Sequence, residues 1–194
     1  MSFTRTIPIA LAVALLASSA PFGDARKKSV IDVALQKAFP GCVVERVTCS
    51  LDDAARKRVG KLGAQKAFRK KTTFAYIARK DGAIVGTGFF DSHVVRTKRE
   101  TLLIAVDPSG RVQRVDTVAF HEPPEYVAQD SFYSSLEGRG QGRPLQLGRG
   151  LDGTTGATLT CRAVADASRR ALALHEVLGA KAGRRTTGGD AGAL

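Results

Sequence analysis

The chain has 194 residues, 43% of them apolar and 25% charged. Its 30 Lys and Arg residues against 18 Asp and Glu give a net charge of +12 at pH 7. That composition excludes a fully disordered chain, a collagen-like repeat and a multi-pass membrane protein, and the length suits one domain with one core.

Residues 1–25 read as an export signal. Arg5 is the positive n-region, Ile7 to Ala17 is the apolar stretch, and small residues follow at Ser18, Ser19, Ala20, Gly23 and Ala25. The apolar run is shorter than a membrane-spanning helix needs. Cleavage fits after Ala20 or after Ala25, and an uncleaved anchor is the alternative. The mature chain is therefore expected in the periplasm or on the outer face of the cytoplasmic membrane. Residues 26–71 form an N-terminal region of helices and a strand, 72–180 the main domain, and 181–194 a Gly-rich basic tail expected to be disordered.

Ser29 can cap a helix over 29–39, where Val30, Val33, Ala34 and Ala38 recur at helical spacing before Pro40-Gly41 stops it. Residues 42–49 alternate as a short strand. Ser50 is the expected cap of a second helix over 51–62, with Asp53 three residues on. The middle of the chain reads as an antiparallel meander. A strand over 72–79 turns at Lys80-Asp81-Gly82 and returns over 83–90. A longer extended segment covers 94–106, continuous or interrupted by its charged middle, Asp107-Pro108-Ser109-Gly110 turns the chain, and 111–120 is the next strand. The meander amounts to about four strands. Pro123 and Pro124 stiffen the loop that follows, a short helix is expected over 129–136, and a long last helix over 160–178 carries Val164, Ala167, Ala171, Leu174 and Leu178 on one face. The fold class is α+β, a twisted, mainly antiparallel sheet flanked by helices.

An exported chain can keep a disulfide, and Cys42 and Cys49 are close enough in sequence to pair, but Cys161 makes the count odd. Small buried hydrophobes are the other reading of the three. No Cys/His spacing suits a metal, so no metal site is expected. The basic clusters Arg56-Lys57-Arg58, Arg69-Lys70-Lys71 and Arg96 to Arg99 are scattered, and no aromatic pattern for RNA accompanies them. Nucleic acid is not an expected partner. A basic face toward anionic lipid or acidic redox partners is.

The segment from Asp152 to Thr160 carries the chemistry. It holds hydroxyls at Thr154, Thr155, Thr158 and Thr160, small residues at Gly156 and Ala157, and it opens the last helix. A helix N-terminus offers free N–H groups and the positive end of a dipole, so the segment suits a phosphate-bearing ligand near Thr158. An ordinary capped helix start is the alternative.

Asp152-Gly153-Thr154-Thr155-Gly156-Ala157-Thr158 resembles the flavinylation signature of the FMN-binding-domain family, which includes the flavin subunits of the sodium-pumping NADH:quinone reductase and Rnf complexes. Asp152, Thr155, Gly156, Ala157 and Thr158 fill the family pattern in order, and Thr160 matches its common extension. Cys161 departs from the small polar residue expected there. The stretches around Asp81-Gly82, Asp107 to Gly110, Glu122-Pro123-Pro124-Glu125-Tyr126 and Pro144 to Gly148 are similar to the same family, so the likeness covers about residues 74–178.

The resemblance implies FMN joined through its phosphate to the Thr158 hydroxyl by an ApbE-type FAD:protein FMN transferase. It implies an electron carrier working with membrane or periplasmic redox partners, not an enzyme with its own substrate and catalytic residues. Gly156 and Ala157 would give clearance, Thr155 and Thr160 would bond near the phosphate, and Asp152 would be read by the transferase or cap the turn. His121, Glu122, Glu125 and Tyr126 would wall the isoalloxazine ring, with Tyr126 stacking on it. An extracytoplasmic sensory or structural module that holds flavin without carrying electrons is the alternative.

Overall fold

A computed structural model describes residues 29–63, 68–141 and 145–186, with side chains through residue 179. The export-signal segment 1–25, residues 142–144 and the tail from 187 lie outside the described residues.

Helix α1 (Val30–Ala38) begins at the expected cap. The Asp32 N–H donates to Ser29 Oγ at 3.2 Å, and the Ser29 N–H donates back to the Asp32 carboxylate at 3.1 Å. After Gly41, at φ +69°, comes β1 (Val43–Ser50). Helix α2 (Asp53–Leu62) is capped by Asp52, whose carboxylate accepts from the Ala55 N–H at 2.7 Å. The expected cap, Ser50, is still part of β1, so its backbone is committed to the sheet.

Four more strands follow: β2 (Thr72–Lys80), β3 (Ala83–Val94), β4 (Arg99–Val106) and β5 (Val112–Phe120). All five pair antiparallel in the order β1-β2-β3-β4-β5. The class is α+β, as the sequence implies. The hairpin between β2 and β3 turns on Asp81 at φ 51° and Gly82 at φ 81°, the left-handed pair a two-residue hairpin favours.

Two expectations are settled by the strand bounds. Residues 94–106 are interrupted in their charged part: β3 runs on to Val94, and a turn at 95–98, closed by the Val95 N–H on the Lys98 carbonyl at 3.1 Å, separates it from β4. The sheet also has five strands, because β1 pairs with β2 along its whole length.

Strand β4 explains the layering. Leu102, Ile104 and Val106 face one core and Leu103 and Ala105 the other, all at 0% exposure. A strand covered on both faces reads as a continuous apolar run rather than an alternating one. One face carries α1, where Leu35 and Phe39 meet Tyr76, Ala78 and Leu103. A Cβ at Gly86 would stand 2.6 Å from the Phe39 ring, so β3 needs glycine there to admit it.

The other face carries α2, α3 (Asp130–Leu136) and the long α4 (Thr158–Thr186). On α4 the predicted stripe Val164, Ala167, Ala171 and Leu174 is buried, and so are Ala165, Ser168, Leu172, Ala173 and Val177. The buried arc is wide because α4 lies between the sheet and α2. The helix continues beyond Leu178 to Thr186, so the first part of the expected tail, 181–186, is helical. No described helix is long and apolar enough to cross a membrane.

Cys42, Cys49 and Cys161 form no disulfide with one another. Cys42 immediately precedes the extended β1 and Cys49 lies near its far end, roughly 23 Å away at about 3.3 Å per residue, far beyond the reach of a disulfide.

Candidate functional site

Three loops meet at one end of the sheet: the 95–98 turn, the segment after β5, and the segment before α4. The last begins after a short parallel pair, β6 (Gln146–Leu147) and β7 (Gly150–Leu151). Thr154 to Ala157 make a turn in which the Ala157 N–H donates to the Thr154 carbonyl at 3.0 Å. Gly156 sits at φ +83°, and a Cβ there would meet nothing within 4 Å. Glycine is needed for its backbone angle, and the space above it is open.

Thr154 is the hub of this turn. Its N–H donates to Cys161 Sγ at 3.3 Å, and its Oγ1 accepts from the Gln129 N–H at 3.1 Å. The position that departs from the family pattern thus has a local use: the fully buried Cys161 thiol holds the turn against the first turn of α4. Ala157 is only 2% exposed and packs inward, seating the turn.

The threonines divide. Thr155 and Thr158 are exposed, and Thr158 is the first residue of α4. Thr160 is buried, and its hydroxyl donates to the Tyr126 carbonyl at 2.5 Å. That bond ties α4 to the loop after β5. Thr160→Val keeps the shape and removes that bond, so it is expected to lower stability by about 1 kcal/mol, read from the urea midpoint. Asp152 is exposed.

Among the residues after β5, Glu122 is the most constrained. Its Oε1 accepts from the N–H groups of Lys98, Thr97 and Arg96 at 2.7, 2.6 and 3.1 Å. Those donors hold its carboxyl below the usual carboxylate range. Glu122 thus clamps the 95–98 turn. His121 is exposed, with Nδ1 donating to the Arg99 carbonyl at 2.9 Å. Pro124–Tyr126 form a single 3-10 turn that exposes Glu125 and leaves Tyr126 half-buried. The Arg96 guanidinium lies 4.0 Å from the Tyr126 ring centroid. Sequence reading saw Arg96 only as one member of a basic cluster. It also passed over Val127 and Leu159, large apolar side chains left 37% and 43% exposed beside the bonded Tyr126–Thr160 pair.

A second polar cluster lies under α4. Arg170 grips Asp91 with two bonds, Nε to Oδ2 at 2.7 Å and Nη2 to Oδ1 at 2.8 Å. His93 donates from Nδ1 to Asp91 at 2.9 Å and from Nε2 to Glu100 at 3.0 Å. Burial opposes charge on the His93 ring, yet Asp91 and Glu100 outweigh it and push its pKa up to about 9. Burial likewise works against the charge on Asp91, but His93 and Arg170 hold its carboxyl well below the usual range. Glu100 is completely buried, and its Oε1 has no partner among the described residues.

The model of the FMN-binding domain family matches residues 98–173, from the end of the 95–98 turn to the middle of α4. Residues 98–173 are an FMN-binding domain. No curated protein and no solved structure matches the chain. The domain match covers β4, β5, both loops of the site that follow them and Thr158 itself. The segment can accommodate the cofactor's phosphate: an exposed hydroxyl stands on the first turn of a long helix, two residues beyond a glycine with open space above it. Among the described residues no group of three or more His, Cys, Asp or Glu is arranged to hold a metal ion.

Proposed function

We propose that this protein is an exported electron carrier with FMN joined through its phosphate to Thr158. The observation that carries the reading is the exposed Thr158 hydroxyl at the start of α4, within the FMN-binding domain. Bound FMN supplies the redox chemistry, taking up and releasing electrons.

The chain's own residues do the rest. The Thr158 oxygen attacks the phosphorus of the FMN half of FAD, loses its proton, and AMP leaves; an ApbE-type transferase promotes this step. The product phosphodiester keeps one negative charge, which the free N–H groups of the first turn of α4 stabilise by roughly 0.3–1 kcal/mol. Gly156 and the turn hung on Thr154 and Cys161 hold that helix end open. Asp152 is exposed where a transferase can read it. Tyr126, Val127 and Leu159 offer an aromatic and apolar border to the ring. The export-signal pattern of residues 1–25 supports a site of action outside the cytoplasm, where a covalent bond prevents loss of the flavin by diffusion.

Intact mass of the protein, produced with export and an active transferase, tests the reading. The expected result is one FMN gained with loss of one water, absent in Thr158→Ala and retained in Thr155→Ala. Wild type without added mass, or a label that persists in Thr158→Ala, would refute it. Reversible redox titration of the loaded protein then separates a carrier from a sensory or structural module.

A further inference from the structure

We infer that Arg96 sets the redox poise of the flavin held at Thr158, an assignment that rests on the attachment proposed above. A chain of fixed contacts leads from Thr158 to this side chain. Two residues beyond Thr158, the buried Thr160 hydroxyl bonds the Tyr126 carbonyl at 2.5 Å. The Tyr126 ring in turn carries the Arg96 guanidinium at 4.0 Å. The backbone of Arg96 is held as well, because Glu122 Oε1 gathers the N–H groups of Arg96, Thr97 and Lys98.

The turn is therefore anchored, and Arg96 is held against the ring of Tyr126, whose backbone is tied to the first turn of α4. Exposed Val127 and Leu159 adjoin the two residues of that tie in the chain. Arg96 forms no ion pair among the described residues, so its charge is not neutralised by a neighbouring carboxylate. A guanidinium is charged at every working pH, is planar, and can stack on one ring while pairing with the edge of another. Two electrons from an external donor, taken up with one proton, leave one negative charge on a flavin ring. A cation fixed beside the ring favours that state, and an exposed cation at close range is worth a factor of about ten.

The test compares wild type, Arg96→Gln and Arg96→Lys, each loaded by the transferase and each checked by intact mass before use. Midpoint potentials are read by absorbance during dithionite titration at low salt. Arg96→Gln is expected to favour the oxidised ring tenfold, a potential about 30 mV more negative for two electrons. Arg96→Lys keeps the charge and is expected to recover most of that difference. The gap between wild type and Arg96→Gln is expected to narrow at high salt, as screening requires. A residue that merely props Tyr126 would alter unfolding and leave the potential where it was. Loaded wild type and Arg96→Gln with equal potentials overturn this inference alone. Wild type that carries no FMN by mass overturns the attachment and this assignment with it.

Discussion

Arg170→Ala is expected to destabilise the fold by about 3–5 kcal/mol, the cost of leaving a buried charge without its partner. Arg170 reaches from α4 to β3 and holds Asp91 with two short parallel bonds. The side chains of Arg170 and Asp91 are each only 17% exposed, that of His93 15%, and Glu100 is fully buried. With His93 protonated the four groups sum to zero charge. Without Arg170 the cluster carries a net negative charge in a poorly solvated place, and the Asp91 oxygens lose their strongest donors. Arg170→Lys keeps the charge but loses the two-pronged geometry, so an intermediate loss is expected. Urea unfolding of wild type and both variants measures this. Arg58→Ala is the control: its partner Glu176 and Arg58 itself are 39% and 52% exposed, and a surface pair of that kind contributes about 0–1 kcal/mol. If Arg170→Ala costs no more than Arg58→Ala, the cluster does not join α4 to the sheet.

The same cluster shows where sequence reading stopped. Local pattern located the strands and helices because their signals are local: the apolar run of β4, the Asp107 to Gly110 turn, the Ser29 cap, the stripe on α4. It ended β3 too early. Asp91, Ser92 and His93 look like a polar interruption, yet Asp91 is held by Arg170, 79 residues away, and His93 by Glu100 on the next strand. The charged residues of 94–106 hint at an interruption, but the place and cause of the 95–98 turn are hidden for a related reason. No turn-forming Gly, Pro or Asn marks it, and the group that stabilises it is the Glu122 carboxylate, 24 residues beyond Lys98.

The candidate site was legible as a motif but not as a geometry. Spacing picked out the threonines together, while only packing separates exposed Thr158 and Thr155 from buried Thr160. Cys161 looked anomalous until its sulfur was seen to receive the Thr154 N–H. Residue type told nothing of these pairings, because each joins segments whose distance in the chain is unrelated to their distance in space.

Stability is expected to fall as pH rises from 6.5 through about 9, and His93 is the group responsible. Its folded pKa, about 9, lies above its ordinary 6.5. The protonated ring is thus favoured by folding, the full contribution is present below pH 6.5, and it is lost as the folded ring gives up its proton near pH 9. Allowing for screening at a ring that is partly solvated, the loss is about 2 kcal/mol. The acid side runs the other way. Asp91, Asp107 and Asp116 have carboxyls lowered below 3.8, so their contributions are present above that pH and disappear as it falls further. His175 adds to the acid limb, since burial lowers its pKa, with Asp107 opposing, and the unfolded chain takes up that proton first. Maximum stability should therefore lie near pH 6.5. His93→Gln removes the titrating ring and leaves Asp91 and Glu100 with less positive charge between them. It is expected to be less stable than wild type at pH 6.5 and to show little further decline up to pH 9. Urea unfolding free energies at intervals across that range decide the matter: parallel alkaline limbs in the two proteins would mean that the proton is lost from some other group.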